Sequence, residues 1–322
     1  MRLNRAVIVF GIVGFGGVLL GLCFWGTFVW QDTYDAQFRP NDFAVLSNGI
    51  VVFDTMRGDH RGDAIYMYNP RTAELRIVCK LSGDVKEIEA INDQECLVIV
   101  QVYPQRFSSK ERLLRLDLTN GKIHSYNAGE KHRYLNLTRL GRSRFILQRA
   151  QIHIYLGPFG WEPHGDIEGW FVFDVEKGSL TPANIQTMPY FIVQVLPGGH
   201  TALVGVRSSR GMKLSLAQLA PPVGAGDTRI AQRKPLRIEG KMAVVDTRRR
   251  WVYFVVETAD GFEIWRLELS NGSTLKVTSV STSLHRLKPA NGNLYYLTGD
   301  GSKSVWMISE NNTPIEVVSG IR

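Results

Sequence analysis

Between Phe43 and Val318 the apolar positions fall in short runs rich in Val, Ile, Leu, Tyr, Phe and Trp, and turn residues break the runs at regular intervals. The breaks include Ser47-Asn48-Gly49, Asn69-Pro70, Asn120-Gly121, Pro197-Gly198-Gly199, Asn271-Gly272 and Asn291-Gly292, which are the residues that reverse a strand. The strand-turn-strand unit recurs about every 40–55 residues, a period that marks a repeat architecture. Six units align, each with four short strands. One four-stranded sheet cannot hide two apolar faces, whereas radial packing of several sheets buries both. Double burial also explains Trp251-Val252-Tyr253-Phe254-Val255-Val256, which lacks clean alternation. No helical period follows Trp30. The pattern predicts an all-β six-bladed β-propeller. Seven blades would require Gln31–Asp42 or the 157–169 stretch, read as a long loop, to help build another sheet. Ring closure is left open, because the first and last units both look complete.

A different pattern precedes the repeats. Ala6–Trp30 contains no charged residue and exceeds the ~20 residues that span a bilayer as a helix. Trp25 and Trp30 suit the interfacial belt. Arg2 and Arg5 precede the run, and Asp32, Asp35 and Asp42 follow it, so the expected orientation is a cytoplasmic N-terminus with the propeller outside. The expected organisation is a tail over 1–5, a transmembrane signal anchor over 6–30, a linker over 31–42 and a propeller over 43–322. A lipoprotein acylated at Cys23 and a cleaved secretory peptide are the competing readings; the length of the apolar core and the bulky residues after Leu22 favour the uncleaved anchor. Gly17 and Gly21 form a GxxxG pair, a candidate dimer contact within the membrane.

Units one, five and six repeat a turn-glycine, an apolar run and an Ile-Tyr or Ile-Trp step. It reads Asn48-Gly49-Ile50-Val51-Val52-Phe53 with Ile65-Tyr66, then Trp251-Val252-Tyr253-Phe254 with Ile264-Trp265, then Gly292-Asn293-Leu294-Tyr295-Tyr296 with Val305-Trp306. In these residues the chain resembles the TolB-like, WD40-like family of six-bladed propellers. The resemblance implies a fold, a tendency toward protein contacts and a bacterial envelope; it carries no catalytic residue.

Composition narrows the partners. Charged residues are 21% and apolar residues 44% of the chain, which excludes wholesale disorder. The net charge of +8 favours anionic surfaces, but no stripe of Lys and Arg interleaved with aromatics marks a nucleic-acid site. The remaining cysteines, Cys79 and Cys96, lie in neighbouring repeats without a CxxC, and a disulfide between them is left open.

Loops joining the second and third strands of each unit are the expected binding positions. The candidates there are Arg57 and Arg61 in the first, Phe159, Trp161 and His164 in the third, and Arg207 and Arg210 in the fourth. Aromatic faces stack on a sugar or peptide, and guanidinium groups grip carboxylate or phosphate. First-strand polar residues Glu87, Glu89, Asn136, Gln194 and His285 are placed along a central channel, as metal ligands or as the lining of a water-filled tunnel. HExxH, GxSxG, Walker and calcium-loop motifs are absent from the sequence, so no cofactor or metal is assigned. The sequence therefore points to a membrane-anchored, non-catalytic scaffold binding a protein or an envelope polysaccharide. A metal-dependent propeller hydrolase or lactonase is the alternative, and an anionic-lipid sensor a third reading.

Overall fold

The computed structural model of the chain describes residues 40–56, 62–105, 108–126, 132–157, 160–209, 211–300, 303–309 and 311–318. The apolar segment over 6–30 and all but the end of the linker lie outside the described residues, as do Arg57, Arg61, Phe159 and Arg210. Among the described residues no helix is long and apolar enough to cross a membrane.

The described strands form six antiparallel sheets, each built from consecutive segments of chain. Blade 1 holds β1 (Phe43–Val45), β2 (Val51–Met56), β3 (Asp63–Asn69) and β4 (Glu74–Lys80). Blade 2 holds β5 (Asp84–Ala90), β6 (Glu95–Gln105), β7 (Ser108–Asp117) and β8 (Ile123–Tyr126). Blade 3 holds β9 (His132–Arg139), β10 (Arg144–Gly157), β11 (Gly160–Asp174) and β12 (Ser179–Ala183). The short β13 (Ile185–Gln186) then pairs in parallel with the outer strand of blade 4. Blade 4 proper holds β14 (Phe191–Val195), β15 (Thr201–Ser208), β16 (Gly211–Ala220) and β17 (Thr228–Gly240). Blade 5 holds β18 (Met242–Asp246), β19 (Trp251–Thr258), β20 (Gly261–Glu268) and β21 (Thr274–Val280). Blade 6 holds β22 (Leu284–Ala290), β23 (Asn293–Thr298), β24 (Ser304–Ile308) and β25 (Pro314–Val318).

The first strands of the blades touch one another in a closed circle, β1 to β5 to β9 to β14 to β18 to β22 and back to β1. They are the innermost strands, and the described ring has six blades. The core is correspondingly divided into wedges between neighbouring sheets. Val52 and Ile65 of blade 1 pack with Val98 and Leu116 of blade 2; Leu97 and Leu113 of blade 2 pack with Tyr134 and Phe145 of blade 3. Each blade thus gives one face to each neighbour, so the middle strands are apolar on both sides.

The ring closes without a shared strand. Phe43, Val51 and Phe53 of blade 1 pack against Tyr295, Leu297 and Val305 of blade 6, and Asn291 Nδ2 donates to the Leu46 carbonyl at 2.7 Å. Cys79 and Cys96 lie in different sheets and both are free thiols. Burial pushes the Cys79 thiol up to about 11 and raises that of Cys96 as well. The disulfide left open by the sequence is not formed.

One glycine illustrates how tightly blades 1 and 2 meet. Gly62 has φ +125°, and a Cβ there would lie 2.4 Å from the Leu81 carbonyl oxygen and 2.5 Å from the Gly83 nitrogen. Gly62→Ala is expected to cost roughly 2–4 kcal/mol of stability. Urea unfolding of the purified chain checks this; an unchanged midpoint would mean that the backbone yields at that corner.

Candidate binding site in the central channel

An inner strand of a propeller has one free edge, and its backbone N–H groups must find partners other than a ladder neighbour. In this chain polar side chains from adjacent blades supply them. Glu87 of blade 2 accepts from the Asn136 and Leu137 nitrogens of blade 3, at 2.9 and 2.5 Å. Gln194 of blade 4 accepts from the Val245 nitrogen of blade 5 at 2.8 Å. Asp42, just before β1, accepts from the Ile88 nitrogen of blade 2 at 2.8 Å. Glu111 accepts from the Tyr134 nitrogen at 2.5 Å. Four inner strands shift register against their neighbours, at Val85/Glu87, opposite Ile146/Gln148, at Ile192/Gln194 and at Leu284/Arg286. Such bulges re-aim side chains, and these adjoin Glu87, Asn136, Gln194 and His285.

The channel has two connected parts. Its inner part, about 470 Å³, is lined by all six inner strands and includes Glu87, Glu89, Asn136, Gln194 and His285, the five residues that the sequence placed there. The other part is a mouth of about 820 Å³ ringed by the turns between first and second strands of all six blades. Arg139, Arg142 and Arg248 line it. Arg139 donates to the Gly141 carbonyl at 2.9 Å, and none of the three forms an ion pair among the described residues. Arg115, also in the mouth, pairs with Glu95.

The inner part of the channel holds a charged knot. Lys288 Nζ donates to Asp42 Oδ2 at 3.1 Å, to Glu89 Oε1 at 2.9 Å and to the Ile88 carbonyl at 2.7 Å. Asp42 is 2% exposed; its Oδ1 makes no hydrogen bond and lies 3.5 Å from Arg286 Nε. Burial disfavours charge on Lys288, but Asp42 and Glu89 outweigh it and raise its pKa. Burial raises Glu89, against the pull of Lys288. Burial, helped by the charge of Asp42, pushes Glu87 up to about 7. Beside this knot Asp54 accepts from the Asn41 and Asp42 nitrogens at 3.0 and 2.9 Å, fixing the chain as it enters β1. Burial, then the neighbouring Asp63, raises Asp54 well above the usual carboxylate range.

This arrangement suits recognition of polar and charged groups. Among the described residues no group of three or more His, Cys, Asp or Glu side chains is placed to hold a metal ion. The sequence singled out none of Asp42, Arg139, Arg286 or Lys288. Their only signal was a polar residue interrupting an inner-strand run, as in Leu284-His285-Arg286-Leu287-Lys288.

The described candidates of the third unit are arranged differently from expectation, whereas Arg207 lies at the expected turn between second and third strands. Arg207 is exposed at the end of β15, away from both parts of the channel. Trp161 and His164 belong to β11, opposite Leu156 and His153 of β10. The 157–169 stretch is therefore not a loop but the returning arm of a long hairpin. Gly157 opposes Gly160 at the end of the pairing, and Pro163 is tolerated because that arm has no outer neighbour there among the described strands. Glycine and proline had been taken as loop signals where they end and border a strand.

No family model matches the chain, and no curated protein matches it in sequence. Many solved structures share its fold. A putative TolB from Agrobacterium tumefaciens aligns with a TM-score of 0.52 at 12% identity, over 80% of this chain and 89% of that one. The tricorn protease aligns with a TM-score of 0.60 at 12% identity, over 89% of this chain but 27% of that one. The propeller domain of the trilobed protease from Pyrococcus furiosus, described as having an open velcro topology, aligns with a TM-score of 0.50 at 10% identity, over 86% and 81%. The chain has the TolB-type six-bladed fold, and at these identities the likeness concerns fold alone.

Proposed function

We propose that the protein is a membrane-anchored, non-catalytic propeller that binds a partner from the outer side of the membrane, the anchor being the apolar segment over 6–30. The observation that carries this is the mouth of the channel, a polar funnel of about 820 Å³ to which every blade contributes. Arg139, Arg142 and Arg248, which form no ion pair among the described residues, favour an acidic partner segment. The chain enters β1 at the end of the channel opposite this mouth. The tether then holds the mouth facing away from the bilayer, open to a protein or an envelope glycan. Propellers of this fold also occur within protease chains. This chain, however, has no GxSxG motif, and its described residues offer no ligand set for the metal-hydrolase reading.

Photo-crosslinking from position 248 of the full chain in intact cells tests the reading. A defined adduct is expected, reduced about tenfold or more by Arg142→Ala together with Arg139→Ala, as for loss of charge-assisted contacts. Absence of any adduct from the mouth, with ester or lactone hydrolysis by the purified chain, would favour the enzyme instead.

A further inference from the structure

Blade 4 ends on an outer strand unlike those of the other blades. β17 runs for 13 residues, whereas β4, β8, β12, β21 and β25 have 4–7. Its inner edge pairs with β16. Its outer edge is already entered by a strand: β13 lies along it in parallel, Ile185 opposite Thr228 and Gln186 opposite Arg229. β13 then leaves the edge. The Tyr190 nitrogen donates to the Thr187 carbonyl at 2.7 Å, and Thr187 Oγ1 donates to the Tyr190 carbonyl at 2.7 Å, a turn that carries the chain away to β14. From Ile230 onward β17 has no outer neighbour among the described strands. This open lane ends at Pro235, which has no N–H to offer. The residues Ile230–Lys234 that form it cover ~17 Å at about 3.3 Å each.

The lane is held in place at both ends. Thr228 is buried before it, and Leu236 and Ile238 are buried after it in the wedge between blades 4 and 5. Between them Ala231, Gln232, Arg233, Lys234 and Pro235 are all exposed. A strand fixed in advance costs its partner less ordering than a flexible one. β17 carries an extra residue, Ala231, against Gln218 and Leu219 of β16, and the alternation restarts after that bulge. Arg233 then lies opposite Ala217, on the face shared with Ser215, and Lys234 lies opposite Leu216 on the other face.

Charge identifies the partner. On β17 Arg229, Arg233, Lys234 and Arg237 stand against one carboxylate, Glu239, which accepts from the Ser208 hydroxyl. On β4 and β21 cations exceed carboxylates by one, and on the other three outer strands by none. The four cations of β17 form no ion pair among the described residues. Arg233 is positioned by its surroundings. Its guanidinium lies over the Tyr190 ring, 4.7 Å from the centroid, and donates to Ser215 Oγ at 3.1 Å, which leaves its other N–H groups to grip a carboxylate. A groove of about 480 Å³, lined by Tyr190, Lys213, Ser215 and Arg237 among others, adjoins it. Charged edges keep sheets from pairing with their own kind. Like charges bar a second copy of β17 from this lane, and the same charges favour an acidic strand. We propose that the outer edge of blade 4 is a strand-addition site for an acidic extended segment of a partner protein. The segment continues the line that β13 begins, its backbone bonded to the edge of β17. Neighbouring residues of an added strand face opposite sides, so two consecutive carboxylates meet Arg233 on one face and Lys234 on the other. The site lies on the outer rim of the ring, separate from the channel mouth.

The test is fluorescence anisotropy of a labelled peptide, a central pair of glutamates between valines, titrated with the purified full chain. Binding is expected to weaken about tenfold in the Arg233→Gln, Lys234→Gln double variant, as for loss of charge-assisted contacts, and to vanish when lysines replace the glutamates. N-methylation of the peptide at both glutamates is expected to weaken it by a similar factor, since a ladder needs those N–H groups. Amide hydrogen exchange at 230–234 should slow about tenfold or more with the peptide bound. No binding, binding indifferent to N-methylation, or unchanged exchange overturns the proposal. Crosslinks between two copies of the chain through position 232 overturn it likewise. Binding lost in an Arg139→Ala, Arg142→Ala variant but kept in the edge variant assigns the peptide to the mouth, which overturns this proposal and leaves the reading above intact.

Discussion

Replacing Lys288 with methionine is expected to cost about 3–5 kcal/mol of folding stability, the usual penalty for leaving one side of a buried ion pair without its partner. Lys288 comes from the last blade, yet its ammonium group donates to Asp42 before the first blade and to Glu89 and the Ile88 carbonyl of the second. It therefore ties three blades where the ring closes. Methionine keeps the length and apolar stem while removing the charge. Asp42, 2% exposed, then retains Arg286 at 3.5 Å as its nearest cation. Chemical unfolding of parent and variant gives the difference. Lys288→Arg should recover part of the loss, because charge matters here as well as packing. A loss below about 1 kcal/mol, the scale of an exposed pair, would show that the closure relies on the apolar wedge between blades 1 and 6 alone.

The second large effect is in pH. Asp63 is raised from its ordinary 3.8 to about 6, chiefly by burial, with the Val85 N–H bond acting in the opposite direction. Glu87 is raised from 4.5 to about 7, again chiefly by burial. A carboxyl that holds its proton more tightly in the folded chain stabilises the fold most when protonated. Its contribution is fully present below the unfolded pKa and is lost as pH rises through the folded one. The protein should therefore lose stability between pH 4 and 7, with each of these groups accounting for ~2–3 kcal/mol. Asp63→Asn isolates one of them. An asparagine oxygen still accepts from Val85, now at 2.6 Å from Asp63 Oδ2, without carrying a charge next to Asp54. The variant is expected to have a flatter profile across that window and to gain ~1–2 kcal/mol at pH 8. Unfolding midpoints of parent and variant at pH 5 and pH 8 decide it; parallel profiles would show that Asp63 ionises freely in the folded chain.

The blades were legible because their signals are local. Asn-Gly and Pro-Gly-Gly turns between apolar runs fix where each strand reverses, and a doubly buried run such as Trp251–Val256 can only sit between two sheets. The inner-strand polar residues could be located for the same reason: a propeller's first strand faces the channel, so Glu87, Glu89, Asn136, Gln194 and His285 followed from strand order. Asp42 and Lys288 were not legible, since their partnership joins positions far apart in sequence and exists only once the ring is closed. The blade 3 arm was misread through composition. Gly157, Gly160 and Pro163 look like a loop, and only the pairing of Ile154 with Pro163 and Leu156 with Trp161 reveals two strands. The bulges that direct Glu87 and Gln194 toward their neighbours have no sequence signature at all.

Because every blade is woven from one continuous stretch, the backbone ladders owe nothing to the place where the chain happens to start. A circularly permuted protein beginning at Met242 and passing from Val318 back to Pro40 through a short connector would keep all six sheets whole. A propeller that borrows a terminal strand to complete its last blade has one privileged joint; here no described blade borrows a strand from the other end of the chain, and the seam is distinguished by its salt bridge rather than by its weave.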